Sequence, residues 1–123
     1  MEPLILHMLG DYILQSHWMA ENKTKAHLPA FLHAATYSVP FLLIGSPIAV
    51  LAIWVTHFFI DRYRLARYVV WAKNRLWDDD FPPLKGCPTG YPESVPSWLS
   101  VWLLIAADNT LHLICNYAAL RWL

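Results

Sequence analysis

Three short strings carry the residues best suited to chemistry in this chain: HMLGD (His7 to Asp11), HFFID (His57 to Asp61) and DNTLH (Asp108 to His112). In each, a histidine and an aspartate stand four positions apart, close to one helical turn, so the two side chains share a helix face. Neutral imidazole nitrogen and carboxylate oxygen suit zinc, iron or manganese. Such i, i+4 pairs, converging from different helices, are a known way to build a metal site in a bundle core. A bound divalent ion would acidify a water and turn it into a nucleophile. No G-x-S-x-G elbow is present, so that water is the only nucleophile these residues suggest.

The elements that carry the pairs are strongly apolar. The chain is 57% hydrophobic and 15% charged, against roughly 25% charged residues in an average soluble domain. Positions 28–60 hold no Asp, Glu, Lys or Arg, and a membrane span needs about 20 apolar residues. This stretch predicts two spans joined at Gly45-Ser46-Pro47, with Pro40 as a kink. A first span is expected over about Pro3 to Ala20, and a last over about Ser97 to Leu123. The N-terminus has no basic n-region or small-residue cleavage site, so its apolar segment reads as a retained span. The third helix should continue past Phe59 into an amphipathic segment, Arg62 to Arg75, that mixes basic residues with Tyr63, Tyr68 and Trp71. The expected architecture is therefore all-α: a polytopic membrane protein with four transmembrane helices in a bundle. It forms one domain over residues 1–123 with a loop at about 77–96.

Charge sets the expected orientation. Lys23, Lys25, Arg62, Arg64, Arg67, Lys73, Arg75 and Lys85 fall on one side of such a bundle and only Arg121 on the other. The positive-inside rule makes the basic side cytoplasmic, which puts the loop inside and both termini outside a bacterial inner membrane. Arg62, Arg64 and Arg67 are then expected to contact anionic lipid. With zero net charge and no basic tract, nucleic acid is not an expected partner. Cys87 and Cys115 lack paired zinc-ribbon spacing, and Asp78-Asp79-Asp80 reads as solvated loop.

Helix direction links the three pairs. The first and third helices run one way and read His-then-Asp, whereas the last runs back and reads Asp-then-His. All three pairs thus share one spatial polarity and could line a polar column, with His33, Gln15, Asn109 and Asn116 as further members. An unpaired Asp at a bilayer centre costs roughly 2.5–3.5 kcal/mol, so three need pairing, protonation or a cation. Three readings follow: a metal site, a proton or cation path through an oligomer, and a set of helix clasps in a phage or host interaction protein. His17 and His27, near span ends, read as interfacial residues.

The opening HMLGDYILQSHWMAENK resembles the H-L-L-x-D-F-x-L-Q-x-x-x-x-A-x-x-K opening of domain-of-unknown-function family 3307, small bacterial and phage membrane proteins. FLHA, THFFID and DNTLH are similar to the histidine-bearing second helix, the third helix and the last helix of that family, with Asn109 in place of a Gln. The resemblance implies a polar signature of His7, Asp11, Gln15, His33, His57, Asp61, Asp108 and His112. A second helical membrane family, of metal-dependent hydrolases, has a broadly similar His/Asp pattern, an analogy only. The leading expectation is a metal-dependent hydrolase for a lipid-linked or amphiphilic substrate. His7, Asp11, His57, Asp61, Asp108 and His112 would hold one or two divalent ions, zinc first, and His33 would orient a ligand or act as acid-base.

Overall fold

The computed structural model describes residues 2–123 and is helical, with no strand among the described residues. In chain order the helices are α1 (Pro3–Met8), α2 (His17–Asn22), α3 (His27–Ser38), α4 (Pro47–Arg62), α5 (Leu65–Trp77) and α6 (Ser97–Trp122). The chain forms two compact units. One runs up to Tyr63 and includes His112–Leu123 at the end of α6; the other is Arg64–Leu111. Of the described helices, α6 alone is long and apolar enough by composition to cross a membrane.

The expected first span is not one straight helix. After α1 the backbone widens into a π-type turn over Leu9–Ile13, closed by Leu14 N–H donating to Leu9 O at 2.9 Å, and then breaks before α2. Ser16 restarts the helix by accepting from Met19 N–H at 3.2 Å, an N-cap that the apolar periodicity conceals. π-Type turns insert an extra residue per turn and re-aim side chains. Here the turn carries Asp11, which is buried.

The second expected span bends where Pro40 removes a donor: α3 ends at Ser38 and a tighter turn covers Val39–Leu43. Ser46 then caps α4 through Ala49 N–H at 3.1 Å, with Pro47 in the first turn. The expected continuous extension of the third helix is interrupted. Arg64 adopts a left-handed conformation (φ 52°) between α4 and α5, so the amphipathic segment is a helix of its own.

In the first unit α3 packs on α4, and Leu6, Tyr37, Phe41, Ala49, Ile53 and Ala119 form the apolar core. Gly10 brings the π-type turn against this core: a Cβ there would stand 2.3 Å from Tyr37 Cδ2. In the second unit Ala66 and Val70 of α5 are buried beneath the loop that follows.

Gly10→Ala is the sharpest test of this packing. At a slack helical site the exchange would stabilise by roughly 0.5–1 kcal/mol. Against the buried Tyr37 ring it should instead destabilise by about 1–3 kcal/mol, read as a lowered Tm of the purified protein.

Candidate metal centre

Three elements contribute four side chains to one buried knot of polar atoms. The π-type turn supplies Asp11, α3 supplies His33, and one face of α4 supplies both His57 and Asp61. All four side chains are buried, with relative exposures of 8% or less. One ligand atom from each lies within 4.8 Å of the others.

The contacts within the knot are short and numerous. His33 Nε2 is 2.9 Å from His57 Nε2, 3.2 Å from Asp11 Oδ1 and 3.1 Å from Asp61 Oδ2. His57 Nε2 is 3.4 Å from Asp11 Oδ1 and 3.2 Å from Asp61 Oδ2. Each imidazole nitrogen can place at most one proton on these five approaches, and ionised carboxylates place none. At most two of the five can therefore be straight hydrogen bonds, and at least three are left without a proton of their own. Asp11 Oδ1 and Asp61 Oδ2 accordingly have no hydrogen-bond partner. Lys23 Nζ stands 2.8 Å from Asp61 Oδ2, an ion-pair contact outside hydrogen-bond angles, and 3.4 Å from His33 Nε2.

A single cation at the middle of the knot removes this conflict. Ligands at about 2.0 Å in a tetrahedron lie about 3.3 Å apart, and adjacent octahedral ligands at about 2.1–2.2 Å lie about 3.0–3.1 Å apart. The observed approaches of 2.9–3.4 Å match that spacing. Two carboxylates also neutralise a divalent charge, which favours burial of the ion.

The two carboxylates are used alike. Asp11 directs Oδ1 into the knot, while its Oδ2 lies 3.5 Å from His7 Nδ1. Asp61 directs Oδ2 into the knot, while its Oδ1 lies 3.3 Å from His112 Nε2. His7 and His112 therefore stand behind the carboxylates, their rings 5.9 Å apart. His7 Nδ1 also lies 2.7 Å from the Tyr37 hydroxyl, which accepts from Asn116 Nδ2 at 2.6 Å. The His57 ring is held between Tyr37 and His112, with centroids at 3.7 and 4.1 Å. Outer contacts of this kind orient metal ligands.

The structure thus sorts the expected residues by position. Asp11, His57 and Asp61 meet in the knot, together with His33, which the sequence suggested as acid-base rather than ligand. His7 and His112 form an outer layer. Asp108 lies in the second unit, one turn before His112 along α6, and is half-buried. Gln15, in the break before α2, donates to Asp11 O at 3.1 Å. His17 is exposed and pairs with Glu21 at 3.4 Å, and the exposed His27 accepts from Arg62 Nε at 3.2 Å. Lys23 and Tyr37 are additions. Lys23 enters the sequence reading through charge topology and the opening motif, and Tyr37 does not enter it at all.

The family model described as "Protein of unknown function (DUF3307)" matches residues 1–82. The chain belongs to this family. All four members of the knot fall inside the matched DUF3307 region, whereas Asp108 and His112 lie beyond it. No curated protein and no solved structure matches the chain.

The outer layer has its own test. Tyr37→Phe removes the acceptor of a buried amide and should cost about 1–3 kcal/mol. Adding Asn116→Leu should recover part of that loss, because the stranded amide goes with it; thermal unfolding of the single and double variants reads the coupling.

Proposed function

We propose that this DUF3307 protein is a membrane-embedded metal protein that holds one divalent ion, zinc first, through Asp11, His33, His57 and Asp61. The observation that carries the proposal is the set of short approaches among four buried ligand atoms that have too few protons to hold them together. A helix-clasp reading would have each buried acceptor matched by a donor; here Asp11 Oδ1 and Asp61 Oδ2 have no hydrogen-bond partner. His7 and His112 orient the two carboxylates from behind. The membrane setting is supported by α6, apolar enough to span, and by exposed Leu51, Val55 and Phe59 on α4.

The activity we propose for this centre is hydrolysis of an amphiphilic or lipid-linked substrate. A bound divalent ion supplies Lewis acidity and lowers the pKa of water. The ligand spacing also fits four of six octahedral positions, which leaves room for substrate. Lys23 is the cation closest to the knot and is 18% exposed at its side chain, so it is placed to hold an anionic group of the substrate.

Metal analysis of the purified protein should find about one divalent ion per chain, and chelation should lower Tm with recovery on re-addition. Asp11→Asn and His57→Gln should each weaken metal affinity by more than about 100-fold, beyond the 10–100-fold expected of His7→Ala or His112→Gln. Equal affinities for all four variants, or no stoichiometric ion in the wild type, would overturn the assignment.

A further inference from the structure

The second unit holds a helix that leaves an apolar face uncovered. The inner face of α5 buries Ala66 and Val70, and the polar groups beside them engage the loop that follows. Arg67 donates to Leu84 O at 2.9 Å and to Cys87 O at 3.0 Å, and Trp71 Nε1 donates to Pro82 O at 3.0 Å. Asn74 Nδ2 donates to Gly90 O at 3.3 Å, and Arg64 Nη2 donates to Pro88 O at 3.4 Å. Gly90, at φ 86°, lies so close to α5 that a Cβ would stand 2.6 Å from Val70 Cγ1 and 2.7 Å from Arg67 O.

The outer face is apolar as well. Leu65, Tyr68, Val69, Ala72 and Leu76 are all exposed and recur at helical spacing, which gathers them in a stripe roughly 100° wide. Lys73 falls on one edge of the stripe and Arg75 on the other; Lys73 Nζ donates to Tyr91 OH and Arg75 Nη1 to Asp78 O, each at 3.0 Å, yet both side chains remain exposed. From Arg62 to Trp77 there is no acidic residue. Trp77, 92% exposed, ends the helix.

Arg64 and Arg67, expected from the sequence to contact lipid, are thus bound to loop carbonyls, and Arg62 donates to Thr24 O at 2.9 Å. We infer that α5 lies in the surface of an anionic bilayer by its opposite face. Leu65, Tyr68, Val69, Ala72 and Leu76 enter the acyl boundary, Trp77 sits at headgroup level, and Lys73 and Arg75 contact lipid phosphate. Apolar stripes flanked by cations are the pattern of helices that lie in the membrane plane. Charge complementarity with anionic headgroups selects a bilayer over a second copy, because two such faces would bring Lys73 and Arg75 against their like. The folded loop supplies the carbonyl partners that a polar helix face finds in water, so α5 presents its apolar face outward without leaving its arginines bare.

The inference rests on the membrane setting proposed above, and photo-crosslinking separates the two. Benzoylphenylalanine is placed singly at Tyr68, Leu76, Asp79 and Leu51 in the full chain, reconstituted in nanodiscs of phosphatidylethanolamine and phosphatidylglycerol. Asp79 is a solvent-exposed control and Leu51 reports the α4 surface. The expected result is a lipid adduct at positions 68, 76 and 51, several-fold above that at 79. Adducts at 51 without adducts at 68 and 76 overturn the α5 inference alone. A covalent dimer through 68 or 76 also overturns it, in favour of a second copy. No lipid adduct at any position overturns the membrane setting with it.

Discussion

Four ligand atoms crowded together inside an apolar protein, with too few protons to link them all, are the constraint on which the first unit depends. Asp11, His33, His57 and Asp61 reach the knot from the π-type turn, α3 and α4, so each of these elements is held by the others through it. Without a central cation the two buried carboxylates rest on Lys23 and on the protons that the surrounding histidines can place toward them. With one, the same atoms become a further cross-link between elements that already pack together. The unusual local features then have a common reason. The π-type turn aims Asp11, Gly10 lets that turn reach Tyr37, and Tyr37 supports His7 and His57.

The carboxylates show how an outer layer defines an inner one. Each Asp has one oxygen in the knot and the other beside a histidine, His7 or His112. A carboxylate engaged on one oxygen presents the other in a fixed direction, which lowers the reorganisation needed to take up an ion.

Much of the site was legible in the residue spacing, and the limits of that legibility are physical. The i, i+4 rule places His57 and Asp61 on one face of α4, and both enter the knot. The same spacing in His7 and Asp11 hides a difference of role, because an unforeseen π-type turn separates them and spacing cannot say which oxygen faces which ring. His33 has no i+4 acid, so spacing gives no sign of a ligand there; only the packing of α3 on α4 reveals its Nε2 among the ligand atoms. Lys23 looked topological because a lysine near a span end has an ordinary explanation. The all-helical class and the family were readable from the apolar pattern and the opening motif. The breaks at Ser16 and Arg64 were not, since neither position carries the Pro or Gly that usually announces one.

The central claim is that one divalent ion sits among two imidazoles and two carboxylates, and X-ray absorption at the metal edge of the purified protein tests it most directly. The expected spectrum has nitrogen and oxygen neighbours alone at about 2.0–2.2 Å, with the outer-shell scattering of two histidine rings. A protein without stoichiometric metal, or a metal with sulfur neighbours or no imidazole scattering, would contradict it.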